Sequence, residues 1–579
     1  MFSFETSALP CRGKRPGEGS RKRQVLSAGM IAIGAWLALP AAGYAQTGTR
    51  ILDTGRVDAE PSNTQLAVPG TQLPQIQNKS VVPQNADKRF ILKRIKIDGA
   101  GVLGGNDFLP LYQRTLDHEI TVREIYAIAD GIAAAYKSAG YALFSVFVPD
   151  QSFADGNVVI KVVEGHVRRV VVGGDTDGAD LALLSAYGET IANEIPLRQA
   201  TLERYTLLMG DIHGLTVGSR FAPVADEPGA VDLVLTLKRK TIDASLGINN
   251  YGSPLLGQTQ AIGIVGANSL LREGDNTLLT YGTPVDFDKF QYVSLSHATP
   301  IGTEGTMVQA SGGYLQTTPK SPNPAGRAYV MGAQISHPVL RGVDTNLTLI
   351  GALDVLESES AVLGNTTSAE KTRVLRGGAS LSVNDNFLSG DDKKATTATN
   401  LVVSHGLDVF KAKMQGQSGA TSDFTKVNLR VGRDQPLAGD FIARLRTFGQ
   451  YTNDTLTASE QFTYGGAEFG RAFNNAALQG DQGIAGSMEI AFAPPNMSEM
   501  LGFLKFAEVY TFVDGSKIWN VRPNGNAGSD TASSGGVGIR LTALDKAIIG
   551  LETGTPLTTP TYTMADRSWN FRFSVKAAY

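Results

Sequence analysis

Few residues in this chain stand at spacings that could do chemistry. Gly99-Ala100-Gly101-Val102-Leu103-Gly104 is a literal G-x-G-x-x-G after a strand-like run, FILKRIKIDG. In a dinucleotide site such glycines let the backbone approach a pyrophosphate at a helix N-terminus. Here the run carries Lys93, Arg94 and Lys96, which reads as half exposed rather than as a buried parallel strand. The pattern places the next helical stretch near Asp107–Leu116, not directly on the glycines. A related stretch, HVRRVVVGG, has a glycine pair at the same place without the rest of the fingerprint. The glycines therefore read as a turn.

The remaining chemical candidates are weaker. Histidines at 118, 166, 213, 297, 337 and 405 show no metal-ligand spacing. No G-x-S-x-G elbow occurs. Carboxylates are plentiful, but sequence reveals no paired setting for them. An enzyme has no residues to rest on, and no metal or cofactor is expected. The net charge of −3 over 579 residues gives no reason to expect a nucleic-acid partner.

The elements point to a membrane instead. In the last segment the odd positions are Trp569, Phe571, Phe573, Val575, Ala577 and Tyr579, and the even positions are Asn570, Arg572, Ser574, Lys576 and Ala578. Successive side chains of a strand face opposite ways. One face is apolar with aromatics at both ends and the other is polar, as in a barrel strand between lipid and a wet lumen. From about Lys240 onward short alternating runs recur, such as NTLLTYGTPV, TKVNLRVGRD and AEVYTFVDG, separated by Gly, Asn, Asp and Pro. About 340 residues at roughly 20 per strand and loop give on the order of 16 strands. An even number closes the barrel with both ends on one side. The 65 glycines suit many tight turns.

Residues 1–45 read as an extended secretory signal. Arg12, Lys14, Arg15, Arg21, Lys22 and Arg23 precede an apolar run, Val25 to Leu39, that is too short to span a bilayer. Gly43-Tyr44-Ala45 offers small residues for cleavage. The single cysteine, Cys11, falls in this part, so no disulfide is expected afterwards. Residues 46–89, rich in Pro, Gln, Thr and Asn, read as a solvated periplasmic linker.

Residues 90–239 hold an internal repeat of roughly 75 residues, each copy with the order β-α-α-β-β. The first spans 90–165 and the second 166–239. In the first, Thr121 and Glu124 make a T-x-x-E capping box, and Ile125, Ile128, Ile132 and Tyr136 supply an apolar stripe that Gly140 ends. A longer helix near Leu197–Met209 follows the same plan in the second copy. Both copies close with a strand pair: ALFSVFVP with NVVIKVVEG, and LTVGSRFAP with AVDLVLTLK. Each reads as two helices on one face of a three-stranded sheet.

Two such units ahead of a barrel resemble the TpsB transporters of two-partner secretion, the ShlB/FhaC group of the BamA-type superfamily. AGYALFSVFVPDQSFADGNVVIKVVEGHV is similar to a POTRA-domain stretch of that family, G-Y … P-x-Q … G-x-V … V-x-x-G. Asn250-Tyr251-Gly252-Ser253 resembles its first barrel strand. EQFTYGGAEFGRAFNNAALQGDQG at 460–483 resembles its long loop folded into the lumen, and FVDGSKIW at 512–519 its lumenal strand motif. The resemblance implies a transmembrane β-barrel of about 16 antiparallel strands at 240–579, preceded by two α+β POTRA domains. It implies that Arg471, with Gly470 and Phe473 beside it, pairs with Asp514 to lock the loop. The family's glycine after the arginine is Ala472 here, which restricts a left-handed backbone and predicts a rearranged tip.

The function implied is an outer-membrane pore of a Gram-negative bacterium. It would capture an unfolded partner in the periplasm and export it without ATP. The partner would be a large TpsA-type exoprotein, an adhesin or a haemolysin. Outer-membrane lipid and the barrel assembly machinery are further expected partners. The strand around Leu143, Phe144, Ser145, Val146 and Phe147 is the expected capture edge, against the alternative that these residues build the domain's own core. A BamA-like assembly factor is the alternative function; it would carry more POTRA units.

Overall fold

A computed structural model describes residues 86–252, 256–318, 325–362, 365–388, 393–415, 419–494, 504–521, 528–544, 546–558 and 568–579. The expected signal at 1–45 and residues 46–85 of the expected linker lie outside the described residues.

The first α+β unit runs β1 (Arg94–Asp98), α1 (Gly105–Tyr112), α2 (Val122–Ser138), β2 (Phe144–Phe147) and β3 (Asn157–Glu164). The last strand lies in the middle, parallel to β1 and antiparallel to β2. Val158, Ile160 and Val162 alternate on the face of β3 that packs under Ile125, Ile128, Ile132 and Tyr136 of α2. The capping box forms: Thr121 Oγ1 accepts from Glu124 N, and the Glu124 carboxylate accepts from Thr121 N at 2.7 Å. Gly140 takes a left-handed φ of +83° just beyond the helix, where a side chain would be strained. The run FILKRIKIDG breaks in two: Arg89–Ile91 pairs with Glu119–Thr121, and Leu92 between the halves is buried.

One expectation about the glycine stretch fails and one holds in part. The helix does open directly from it, since α1 starts at Gly105 with Gly104 as its N-cap. The strand before it, although half exposed, is parallel to its neighbour. The cradle is nonetheless filled by the chain itself. Glu164 accepts hydrogen bonds from Gly101 N at 2.7 Å, Val102 N at 2.9 Å and the Tyr136 hydroxyl at 2.6 Å. Burial works to raise its carboxyl, but the Tyr136 hydroxyl and the two amides outweigh it and hold the group below its ordinary value. A carboxylate of the chain itself thus takes the amides of the glycine turn.

The second unit repeats the plan: β4 (His166–Gly174), α3 (Ala182–Asn193), α4 (Gln199–Gly210), β5 (Leu215–Pro223) and β6 (Ala230–Arg239), with β6 in the middle. The two units share structure. Ala142 N donates to Leu197 O at 2.9 Å, and Leu143 is buried in the second unit's core beside Leu184 and Leu197.

Sixteen antiparallel strands then close a barrel. They are β7 (Ile242–Asn249), β8 (Gln260–Asn268), β9 (Asn276–Pro284), β10 (Phe290–Ile301), β11 (Thr306–Thr317), β12 (Ala325–Arg341), β13 (Thr345–Val362) and β14 (Asn365–Asp385). They continue as β15 (Ala395–Gly406), β16 (Thr425–Pro436), β17 (Phe441–Thr452), β18 (Gln482–Phe492), β19 (Leu504–Trp519), β20 (Ser529–Ala543), β21 (Ala547–Thr558) and β22 (Asn570–Ala578). A short strand, Lys413–Gln415, pairs with Ala369–Lys371 of β14 at one rim. Alternation decides the faces: on β19, Glu508, Tyr510, Phe512 and Asp514 are buried inward while Val509, Thr511 and Val513 are exposed outward. Strand β22 meets β7 over Ser574–Ala578 against Ser245–Asn249. Among the described residues no helix is long and apolar enough to cross a membrane; the strands do so.

The second unit docks on the barrel's short turns. Arg341 forks onto Asp211 with two 2.8 Å bonds, and Glu304 accepts from Arg204 at 3.1 Å and from Tyr205 at 2.7 Å. The N-cap residue of α3, Leu181, offers no capping side chain, and Asp180 before it reaches only Ala182 N at 3.2 Å. Glu273, from the turn between β8 and β9, supplies one by accepting from Leu183 N and Leu184 N at 2.6 and 3.2 Å.

Candidate functional site

Between β17 and β18 a long loop, residues 453–481, folds back into the lumen. A small ladder, Phe462–Tyr464 with Leu478–Gly480, gives it shape. Its Phe462, Tyr464, Phe469, Phe473 and Leu478 pack as one apolar cluster on wall residues Phe448, Ala485, Ile518 and Ala532. Phe448 and Phe462 stack at 5.1 Å. The loop therefore has a core of its own, which fixes the ends of its charged side chains.

At the tip stands Arg471, only 4% exposed. It meets Asp514 of β19 through Nε at 3.1 Å and Nη2 at 2.8 Å, a two-pronged contact, and its backbone N donates to the same carboxylate at 3.1 Å. Glu489 of β18 at 3.1 Å and Glu552 of β21 at 3.3 Å flank it. The guanidinium lies 3.6 Å over the Phe512 ring, two residues from Asp514 on the same face. Below it Arg540 joins Glu489 and Glu508 at 2.7 and 2.6 Å, and Arg444 joins the same two at 2.7 Å each. Arginine forks suit such a lattice because each guanidinium serves two acceptors in a fixed plane.

The tip backbone is not strained at Ala472. The left-handed residue is Gly470, at φ +74°, and Ala472 stays outside that region. A side chain at 470 would come within 2.7 Å of the Tyr464 ring and 2.9 Å of Gly465 N. The tip rearrangement expected from Ala472 has no conformational cause here, because the turn places its left-handed step one residue before the arginine.

The loop is also held at its base. Glu460, 2% exposed, receives Arg376 of β14 at 2.8 and 3.2 Å and Lys426 of β16 at 2.8 Å. Its backbone carbonyl accepts from Lys426 at 2.7 Å and from Gln450 at 3.0 Å. Asp481 closes the stem by accepting from Leu456 N and Val521 N, each at 2.8 Å. The polarity is reversed between the ends: a loop cation on wall anions at the tip, and a loop anion on wall cations at the base.

Sequence reasoning did not single out Glu489, Glu552, Glu508, Arg540, Arg444, Glu460, Arg376 or Lys426. The signal was present as charges at inward parity on alternating strands, but parity alone does not say which strands meet through a loop. Of the expected capture strand, Leu143 and Val146 are buried, Phe144 packs against the first unit's core, Ser145 is partly exposed, and Phe147 is 40% exposed. β2 is an outer strand of its sheet. Asn250 reaches across the closing pair: its amide donates to Phe571 O and its carbonyl accepts from Phe573 N, both at 2.8 Å. Ser253 lies outside the described residues. Among the described residues no group of His, Cys, Asp and Glu could hold a metal ion.

A closed sixteen-strand barrel with a loop folded inside it, behind α+β units docked on its turns, is the architecture of a transmembrane β-barrel with appended α+β domains. The chain belongs to the family of haemolysin secretion/activation proteins ShlB/FhaC/HecB, whose sequence model matches residues 229–541, more than half of it. A ShlB-type POTRA domain matches residues 90–165. The chain is 20% identical over 381 residues to the heme/hemopexin transporter protein HuxB of Haemophilus influenzae strain 86-028NP, covering 63% of this chain and 65% of that protein. It is 22% identical over 416 residues to the outer membrane transporter CdiB of Escherichia coli O6:K15:H31 strain 536, covering 68% and 67%. The matched part thus spans about two thirds of these relatives. In fold it resembles CdiB from Escherichia coli at a TM-score of 0.69 and 18% identity, over 87% of this chain and 94% of that one. BamA from Haemophilus ducreyi lacking POTRA domains 1–3 matches at 0.51 and 15% identity, over 85% and 100%. The family is one of two-partner secretion transporters, set in the outer membrane with POTRA domains in the periplasm.

Proposed function

We propose that this protein captures an unfolded, secreted partner in the periplasm and passes it through the barrel to the cell surface without ATP. The partner is a large exoprotein of the adhesin or haemolysin kind. The observation that carries the reading is the buried Arg471–Asp514 contact, which latches a folded loop across the path through the lumen. A protein-conducting pore needs a plug that can leave, and a loop held by ion pairs at its tip and base can be released by breaking them. Folding of the emerging chain outside would supply the pull.

On this reading residues 1–45 are a signal, 46–89 a linker, 90–165 and 166–239 a POTRA pair, and 240–579 the pore. The outer strand β2 offers its edge to an extended chain by main-chain pairing, with Ser145 and exposed Phe147 toward it. Leu143 and Val146 serve the cores instead. Insertion would depend on outer-membrane lipid and the barrel assembly machinery, and no nucleic acid takes part.

The test is export in whole cells carrying the full-length protein. Ser145→Pro removes a main-chain donor from the edge strand and should sharply lower surface delivery of the partner, whereas Phe147→Ala should lower it only slightly. Equal delivery by Ser145→Pro and the native protein, at equal barrel levels, would remove β2 from the path.

A further inference from the structure

The closing strand holds the loop tip by its backbone. Arg572 of β22, 3% exposed, donates from Nε to Arg471 O at 2.6 Å and from Nη2 to Phe473 O. Asn570 on the same inward face donates from Nδ2 to Ala472 O at 3.4 Å. Three consecutive carbonyls, on either side of and at Ala472, therefore rest on two residues of one strand. Among the described residues the guanidinium's hydrogen bonds run only to these carbonyls, and it lies 5.5 Å from the Tyr251 ring centre beside the barrel's closing pair. A buried arginine that serves main-chain oxygens reads their position, not their side chains, which is how a backbone is fixed in space.

We propose that Arg572, assisted by Asn570, is a positioning residue of the latch, and that it ties the loop tip to the strand that closes the barrel. Arg471 hangs its side chain on β18, β19 and β21, and Arg572 clamps the backbone around it to β22. The tip thus leaves only when the closing strand lets go of it. Because β22 pairs with β7 over Ser574–Ala578, and Asn250 just beyond β7 holds Phe571 and Phe573, the latch and the closing pair share one strand. This rests on the reading of the loop as a gate held at its tip.

The test follows the position of the tip directly. Ala472, 7% exposed, is replaced by Cys (Ala472→Cys) in a Cys11→Ser background of the full-length protein in outer membranes. Its modification rate by a water-soluble maleimide is then measured. Arg572→Met keeps the length of the side chain and removes its donors. It should raise the rate at least tenfold, as Asp514→Ala should, while Arg572→Lys, with one donor group, should fall between. Retained heat-modifiable migration shows that the barrel is closed. If Arg572→Met does not assemble, Arg572→Lys alone decides: a raised rate supports the clamp and a native rate overturns it. A native rate in Arg572→Met with a fast rate in Asp514→Ala overturns the clamp and leaves the latch. Native rates in both overturn the latch as well.

Discussion

Arg471 and Asp514 meet through two guanidinium nitrogens and one backbone amide, with the carboxylate fully buried. One residue is in a loop and the other in the barrel wall, so the contact sets where the loop is. Its neighbours make it asymmetric. Arg471 retains Glu489 and Glu552 if Asp514 is lost, whereas losing Arg471 takes the cation from both Asp514 and Glu552, Glu489 alone keeping Arg540 and Arg444.

Arg471→Ala should therefore be the more severe change. Removing one partner of a buried pair costs about 3–5 kcal/mol, and about 1.4 kcal/mol is a tenfold shift in occupancy. Asp514→Ala should cost less. The double variant should be little worse than Arg471→Ala, which a double-mutant cycle on loop accessibility would read. Additive losses would separate the two residues.

The stem anchor should act independently. Glu460→Gln keeps shape and removes the charge that Arg376 and Lys426 share. Arg376 retains Asp354 at 2.6 Å, so the wall should stay intact at that point. We expect raised open-pore conductance in planar bilayers, with a loss of stability because Lys426, 0% exposed, loses its carboxylate partner. Unchanged conductance would leave the tip as the sole latch.

Val513 faces outward between two lumenal residues and is exposed to lipid. Val513→Arg near mid-barrel should cost roughly 2–4 kcal/mol. The heat-modifiable form should fall in abundance. An unchanged level would mean that this face does not meet hydrocarbon.

In the first unit, Glu164→Gln tests the carboxylate that fills the glycine turn. The folded group is held below its ordinary value, so its stabilisation is present above the unfolded range and fades as pH falls through the folded value. The native protein should resist thermal unfolding of this unit better than Glu164→Gln at neutral pH. The two should converge in acid. A gap that persists in acid would place the effect in shape rather than charge.

The barrel and the two α+β units were legible because period-2 alternation, the capping box at Thr121 and Glu124, and a repeated element order are local signals. Arg471 and Asp514 were legible through motif resemblance. Glu460 with Arg376, or Arg572 with the carbonyls around Ala472, could not be read in the same way. Those contacts join residues 84 and about 100 positions apart through a loop whose path no periodicity encodes. The helix start at Gly105 was missed because Gly104 caps it through Asp107, whose carboxylate accepts from Gly104 N, and not through a capping side chain of its own.

The most direct measurement is of export itself. Surface and medium proteins are compared in source cells that lack the gene, and in the same cells complemented with the native chain or with Arg471→Ala. One very large secreted protein should disappear on deletion, return with the native chain and fail to return with Arg471→Ala at equal barrel levels. Its return with Arg471→Ala, or its presence in the deleted cells, would contradict the account.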